Sequence, residues 1–137
     1  MAVHIREEIP PIEQFWPLFQ STGWNQEYQL SPAEVMQGLQ NSWYAVAAYE
    51  GDELVGFGRV VSDTVLYAVI YDLIVLPERQ RQGTGSRILD LLVERCRKAK
   101  IRDIQLFCAR GKKSFYEKRG FVARPEDAPG MQYRPRK

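Results

Sequence analysis

Histidine, cysteine and long apolar runs are the scarce features of this sequence. Its 137 residues include one histidine, His4, and two cysteines, Cys96 and Cys108. One histidine beside the N-terminus argues against a histidine-based catalytic triad, and the sequence shows no spacing of ligands typical of zinc, so we expect no metal. Two distant cysteines do not make a disulfide framework, so we expect a reduced, cytoplasmic setting.

Strong charge of one sign is also missing. There are 19 basic and 17 acidic residues, for a formal net charge of +2. This balance does not favour a nucleic-acid partner. The apolar runs stop well short of the roughly 20 residues of a membrane span, so no membrane partner is expected. A hydrophobic content of 45% excludes a disordered chain, and the length predicts one domain over residues 1–137.

The first part of the sequence favours helices. Val3–Arg6 is typical of a short edge strand. Pro10-Pro11 predicts the start of a helix, which Pro17 should kink or restart. Ser31-Pro32-Ala33-Glu34 combines a serine cap, a proline at the first helical position and a glutamate three residues after the cap, which indicates a second helix. The stretch 23–28 between them is expected to be an aromatic loop.

Three β-rich runs follow. Trp43–Tyr49 and Leu54–Val61 are joined by Glu50-Gly51-Asp52-Glu53, a composition that favours a hairpin turn. The third run is Val65–Leu76, and Pro77 should end it. We therefore expect three successive antiparallel strands.

The rest of the chain returns to helical spacing. Thr84–Lys100 has an apolar stripe opposite a charged face. Asp103–Cys108 is typical of a strand, and Lys112–Arg119 of a short helix. The last expected elements are two short strands, at Phe121-Val122 and Met131–Tyr133. Hairpins followed by strand, helix and strand predict the α/β class, with a central mixed, mostly antiparallel sheet flanked by helices.

The segment from Val75 to Ile88 is the part of the sequence that indicates chemistry. It passes from strand to turn, to Gly83-Thr84-Gly85, and into a helix. Glycines remove side chains where backbone N–H groups converge, and a helix N-terminus offers unpaired N–H groups to a phosphate. Arg79, Arg81 and Arg87 would add positive charge. The alternative is a tight strand-to-helix turn with solvated arginines.

Two common phosphate-binding motifs do not match this segment. A Walker loop needs Gly-x-x-x-x-Gly-Lys followed by Ser or Thr, which Gly83 and Gly85 do not supply. A Rossmann fingerprint needs a third glycine where Ile88 stands. A nucleotide-binding protein is therefore the less favoured class.

Two motifs together resemble the GNAT N-acetyltransferase superfamily. Gln80-Arg81-Gln82-Gly83-Thr84-Gly85 follows Val75-Leu76-Pro77, which is similar to that family's acetyl-CoA loop, Gln/Arg-x-x-Gly-x-Gly/Ala after a strand ending in Val-x-Pro. Phe115–Phe121 is similar to the family's Phe-Tyr-x-x-x-Gly-Phe pattern. The resemblance runs from about Trp43 to Phe121 and implies a single GNAT domain that uses acetyl-CoA as a co-substrate.

The resemblance also implies which residues hold acetyl-CoA. Many relatives have an asparagine seven residues before the motif tyrosine, where this sequence has Ala109. Lys112 can instead reach a phosphate of the co-substrate, or it points into water. The expected binding residues are Leu73, Ile74, Val75, Gln80, Arg81, Gln82, Gly83, Thr84, Gly85, Ser86, Lys112 and Phe115.

Two residues are candidates for the proton transfers that direct acetyl transfer needs. Tyr116 stands at the family's tyrosine position, where a phenol gives a proton to the leaving thiolate. Its alternative role is a packed tyrosine in a helix. Asp72, within an apolar strand, is the candidate base, because burying a carboxylate is costly unless it has a partner. Its alternative role is an ion pair with an arginine such as Arg59.

The acceptor is expected to be a small primary amine. Trp24, Tyr28 and Tyr71 are the candidate residues for its pocket. A weaker resemblance to the plant and cyanobacterial serotonin N-acetyltransferase branch, at Gly23-Trp24 and at Asp72, adds aromatic amines as candidates. A homodimer is possible, as in many relatives. The alternative function is a non-catalytic acyl-CoA sensor or interaction module on the same fold.

Overall fold

A computed structural model describes residues 2–134. The chain divides into two compact units, Met1–Leu106 and Phe107–Lys137. We describe each unit by itself, and the expectation of one domain over 1–137 stays a prediction. None of the helices formed by the described residues combines the length and apolar character needed to cross a membrane.

The first unit contains five strands and four helices. Its elements, in chain order, are β1 Val3–Arg6, α1 Ile12–Gln20, α2 Asn25–Tyr28, α3 Pro32–Gln40, β2 Tyr44–Glu50, β3 Glu53–Ser62, β4 Tyr67–Val75, a 3-10 turn Pro77–Arg79, α4 Thr84–Lys98 and β5 Asp103–Leu106.

The five strands form one sheet in the order β1-β2-β3-β4-β5. The first four pair antiparallel, and β4 pairs parallel with β5. The predicted mixed, mostly antiparallel sheet is therefore confirmed. The parallel pairing joins Tyr67–Ile70 to Asp103–Leu106 and stops there.

The two longer helices of the first 42 residues begin where the sequence indicates. Ser31 caps α3, with its Oγ accepting a hydrogen bond from the N–H of Glu34 and the Glu34 carboxylate accepting one from the N–H of Ser31. This reciprocal pair satisfies two N–H groups that the helix itself leaves free. The predicted restart at Pro17 is wrong, since α1 continues through it, and the alternative, a kink, stays a prediction. The exposed Glu13 carbonyl, which loses its helical bond to Pro17, can bond water instead.

Residues 25–28, expected as loop, form the single-turn helix α2. The Asn25 side chain both donates to the carbonyl of Leu30 and accepts from its N–H. This closure folds the segment back on itself. The sequence signal for it, one asparagine, is too local to distinguish a helical turn from a loop.

The sheet is covered on both faces, and β3 contributes to each. Phe57 is fully buried and meets Phe15 of α1 edge-on, with 5.0 Å between ring centroids. On the opposite face, Gly56 and Gly58 leave room for Ile88 of α4, whose side-chain carbons would lie 2.9 Å from a Cβ at either glycine. Packing on the two glycines therefore sets how closely α4 approaches the sheet.

The second unit contains the helix α5, Lys113–Glu117. The short strands expected at Phe121-Val122 and Met131–Tyr133 are absent from its described residues, so that prediction is wrong. Pro125 and Pro129 stand between the two stretches and remove backbone donors there. Three elements are shorter than the sequence predicts. Helix α4 ends at Lys98, β5 ends at Leu106 and β4 starts at Tyr67.

Candidate functional site

A bulge in β4 creates the irregular backbone of the candidate site. Phe57 pairs with Ile74 and Arg59 pairs with Tyr71, so Gly58 alone stands opposite the two residues Asp72 and Leu73. Asp72 has a φ of +55°, in the left-handed region that few side chains adopt. Bulges often lie beside active sites because they redirect a side chain. Here the redirected side chain is that of Asp72.

The Asp72 carboxylate is held by an arginine of the neighbouring strand. Nε of Arg59 lies 2.7 Å from Oδ2 of Asp72. Nη1 of Arg59 donates to the carbonyl of Gly38 and to Oγ of Ser42, at 3.2 Å each. The ion pair named as the alternative role of Asp72 is therefore present. It connects the bulge to the C-terminal end of α3.

Beyond the bulge, one edge of β4 is open. Its pairing with β5 ends at Ile70, so among the described strands residues 71–75 have a neighbour only on the β3 side. The N–H of Leu76 donates to Val55 of β3, and backbone groups alternate in direction along a strand. Leu73 and Val75 therefore direct their N–H and C=O groups to the open edge, whereas those of Ile74 face β3.

The loop after β4 ends in a helix N-terminus without a side-chain cap. Gly83 is the N-cap of α4, with a φ of +83°, and among residues 2–134 no side chain forms a capping hydrogen bond at this helix start. The N–H groups of Thr84, Gly85 and Ser86 precede the first helical bond, from Arg87 to Gly83. Such a terminus favours an anion. Gln80 completes the connection to the strand, with Nε2 donating to the Val75 carbonyl at 3.1 Å.

The arginines expected around this loop are arranged differently from the prediction. Arg79 is engaged by carboxylates, with Nε 2.8 Å from Glu50 Oε2 and Nη2 3.7 Å from Glu53 Oε1. The hydrogen bond to Glu50 raises the pKa of Arg79 above its ordinary value. Nη1 of Arg87 donates to the carbonyl of Val3. Arg81, with a φ of +66°, and Gln82 are exposed within the loop.

The second unit contains the tyrosine of the other motif. Tyr116 is buried in α5, with edge-on contacts to Phe115 at 5.1 Å and to Phe121 at 6.1 Å between ring centroids. Burial raises the pKa of Tyr116, and the nearby Cys108 adds to the rise. The phenol is therefore held in its proton-donating form. Lys112 is the exposed N-cap of α5.

The candidate acceptor residues have different environments. Tyr71 precedes Asp72, and its ring centroid lies 5.8 Å from Cζ of Arg59, so it belongs to the bulge. Trp24 precedes α2 and meets Phe19 edge-on at 6.5 Å. Tyr28 at the end of α2 is 61% exposed. Their part in an amine pocket stays a prediction, as do the other assigned roles.

The sequence reading did not include two groups that contact Arg59. Ser42 and the Gly38 carbonyl hold its guanidinium, although neither was proposed for the site. Ser42 had a weak signal, a polar residue just before a β-rich run. A backbone carbonyl such as that of Gly38 leaves no signal in the residue type.

Comparison with known protein families identifies the family of this chain. A family model described as an acetyltransferase (GNAT) domain matches residues 17–129. The chain therefore belongs to the GNAT acetyltransferase family.

Individual members of that family are similar to this chain in sequence. It is 34% identical over 107 residues to the uncharacterised N-acetyltransferase ycf52 of Pyropia yezoensis, covering 75% of this chain and 62% of that protein. It is 37% identical over 84 residues to the chloroplastic GCN5-related N-acetyltransferase 2 of Arabidopsis thaliana, covering 61% and 33%. The chain thus spans less than two thirds of the length of either relative.

A solved structure extends the likeness over the whole fold. A GNAT-family acetyltransferase of Streptococcus pneumoniae TIGR4 superposes with a TM-score of 0.84 at 28% identity, covering 99% of this chain and 100% of that one. The mixed five-stranded sheet with flanking helices is therefore the GNAT fold.

Proposed function

We propose that the protein transfers an acetyl group from acetyl-CoA to a small primary amine by direct attack. The observation that carries the proposal is the continuity of two features. The open edge of β4 at Leu73 and Val75 is joined by residues 76–82 to the uncapped N-terminus of α4 at Gly83. The first suits the amide groups of an extended pantetheine arm, and the second suits its pyrophosphate.

In this proposal, each loop residue makes a different contribution to acetyl-CoA binding. Thr84, Gly85 and Ser86 supply backbone N–H groups to phosphate oxygens, and Gly83 and Arg81 provide the left-handed turns that aim them. Gln80 reaches the same strand end through the Val75 carbonyl. Gln82, Lys112 and Phe115 complete the proposed set.

The chemistry needs a neutral amine. An alkylamine with a pKa of about 10.4 is neutral in only about one molecule in 2,500 at pH 7, a cost of roughly 4.6 kcal/mol. We assign the proton acceptor to Asp72, acting directly or through one water. The amine nitrogen then bonds to the acetyl carbon, the carbon–sulfur bond breaks, and the sulfur leaves with the bonding electron pair. The nitrogen releases its second proton to water, and Asp72 releases to water the proton that it accepted, so the product amide is neutral and Asp72 is unchanged after each turnover.

The departing thiolate needs a proton, and we assign that donor to Tyr116. The ordinary phenol pKa of about 10 already keeps Tyr116 protonated at neutral pH, and burial raises that pKa further. Solvent then restores the proton to Tyr116, so the residue is unchanged after each turnover. An N–H group of the open β4 edge would stabilise the oxyanion that forms at the acetyl carbonyl. A cytoplasmic location and a homodimer also stay predictions.

Thermal unfolding with acetyl-CoA, CoA and ATP at matched excess tests the first step. A ligand at about 100 times its Kd stabilises the fold by roughly 2.7 kcal/mol, which raises the Tm of a domain this size by several degrees. We expect acetyl-CoA and CoA to raise the Tm and ATP not to. No response to either CoA species would overturn the proposal.

A further inference from the structure

Arg59 is the residue that connects three parts of the bulge region. Its side chain is 18% exposed, and its guanidinium bonds Asp72 through Nε and both Gly38 and Ser42 through Nη1. The partners come from β4, from α3 and from the segment after α3. A guanidinium presents its donors in a fixed planar fork, so three such bonds fix both its position and its orientation.

The bond from Arg59 occupies only one of the two carboxylate oxygens of Asp72. Among residues 2–134, the structure gives Asp72 one hydrogen bond, at Oδ2, and gives Oδ1 none. The Asp72 side chain is 24% exposed. A carboxylate that is held firmly through one oxygen can accept a hydrogen bond from a third group through the other.

The backbone at Asp72 indicates that this arrangement is maintained against strain. Asp72 has a φ of +55°, in the left-handed region, which aspartate enters more easily than most side chains but less easily than glycine, and residues held there concentrate at functional sites. Removing a charge from water adds a further cost that its partner only partly offsets. Both costs would be avoided by an apolar strand residue without a bulge.

We propose that Arg59 is a positioning residue for acetyl transfer, which fixes the Asp72 carboxylate so that Oδ1 faces the acceptor amine, with Ser42 holding Arg59 in place. The inference deepens the proposed function and rests on it. Arg59 itself contacts neither the amine nor acetyl-CoA in this account. Its effect passes through Asp72.

The position of Ser42 gives the arrangement a second consequence. Ser42 follows Asn41, the C-cap of α3, and the Gly38 carbonyl belongs to that helix. A shift of α3 would therefore move the guanidinium and, with it, Asp72. Misplacement of a reacting group by about 1 Å can cost on the order of 100-fold in rate.

Turnover of Arg59→Ala, with and without added guanidinium ion, tests the proposal. We expect Arg59→Ala to lower kcat by about 10- to 100-fold, with the KM for acetyl-CoA within about twofold of the wild type. Guanidinium ion should restore part of kcat in Arg59→Ala. It should restore nothing in the Arg59→Ala, Asp72→Asn double variant, because the carboxylate it must hold is gone.

The matched control is Arg95→Ala. Arg95 of α4 also contacts another element through its guanidinium, which lies 4.6 Å from the centroid of the Trp43 ring. It has no part in the proposed site, so its kcat should equal that of the wild type. Guanidinium ion should have no effect on it beyond the effect on the wild type.

A milder variant covers the case in which Arg59→Ala does not fold. Ser42→Ala removes one of the three bonds and leaves the ion pair intact. We expect it to lower kcat by about two- to fivefold, without changing the KM for acetyl-CoA. An unchanged kcat in Ser42→Ala together with an unfolded Arg59→Ala would assign Arg59 to folding alone and overturn the proposal.

The remaining outcomes separate this inference from the proposed function. An active wild type with an equally active Arg59→Ala overturns the positioning role and leaves the proposed function standing. Equal rescue by guanidinium with and without the Asp72 carboxylate also overturns the positioning role. A wild type that binds acetyl-CoA and acetylates no primary amine overturns the proposed function and this role with it.

Discussion

Gly58 of β3 lies so close to Leu92 of α4 that a Cβ on Gly58 would be 2.8 Å from Leu92 Cδ1. Real Cβ atoms essentially never approach other atoms so closely, so a side chain on residue 58 would force Leu92 to shift. Gly83 is the N-cap of the same helix, so this contact packs the helix that bears the proposed phosphate-binding terminus against the sheet. Gly58 also stands opposite the bulge at Asp72 and Leu73. Gly58 therefore packs against the helix that bears the proposed phosphate site and also stands opposite the bulge that bears Asp72.

Gly58→Ala should destabilise the protein by about 1–3 kcal/mol, because the added methyl group forces Leu92 and Ile88 out of place. The measurement is the Tm, with the free energy of unfolding from denaturant titration. Gly38→Ala is the control. A Cβ there meets nothing within 4 Å, and alanine is favoured in a helix by roughly 0.5–1 kcal/mol. Equal stability of the two variants would refute the packing argument.

Gly83→Ala should weaken acetyl-CoA binding. An alanine at a φ of +83° costs about 1–2 kcal/mol, and relief of that strain would turn the first N–H groups of α4 away from the phosphate. We expect the Kd to rise about tenfold, measured by calorimetric titration.

Gly23→Ala is the matched control for Gly83→Ala. Gly23 has a φ of +76°, and a Cβ at either glycine meets nothing within 4 Å. Both variants should therefore lose similar stability, and only Gly83→Ala should lose affinity. If the two Kd values agree, the loop does not bind the phosphates.

Asp72→Asn should lower kcat by about 100-fold, the low end for loss of a positioned acid or base. Asparagine tolerates the left-handed backbone of this position, so the bulge should persist. The assay is release of CoA at saturating acetyl-CoA. Asp90→Asn, on the exposed side of α4, is the control and should keep the wild-type rate. Full activity of Asp72→Asn would remove the carboxylate from the mechanism.

Tyr116→Phe should lower kcat by about 100-fold while the Kd for acetyl-CoA hardly changes, because only the hydroxyl is lost. The exposed Tyr133 gives the control, Tyr133→Phe, which should match the wild type. The pKa of Tyr116 is raised, so the donor stays protonated throughout the neutral range. The rate should therefore show no loss from phenol ionisation below about pH 10. Equal turnover of the two variants would exclude Tyr116 as the donor.

Sequence patterns predicted the parts of the fold that depend on local chemistry. The capping residues of α3 and the turn between β2 and β3 act within a few residues, so their signals are complete in the sequence. Gly56 and Gly58 are two positions apart in the sequence, a spacing that places both on one face of a strand. Their purpose, the close approach of α4, appears only when the sheet and the helix meet.

The parts that the sequence did not predict depend on contacts across the fold. Arg79 was expected to serve the phosphate loop, and nothing in its neighbours along the chain shows that Glu50 of the hairpin engages it. The sequence left two roles open for Asp72, a base or an ion pair with an arginine such as Arg59. Residue types alone do not determine which arginine reaches a strand carboxylate. The bulge at Asp72 is a shift in the register of strand pairing, and no particular residue type marks such a shift in the sequence.

Release of CoA and formation of an acetylated amine measure the central claim most directly. The wild type is incubated with acetyl-CoA and a panel of small primary amines, including polyamines, aralkylamines and amino sugars, and products are identified by mass spectrometry. The account predicts an N-acetylated product from at least one class, in equal amount to the CoA released, and a loss of both with Asp72→Asn. Binding of acetyl-CoA without any acetylated amine would contradict it and favour an acyl-CoA sensor.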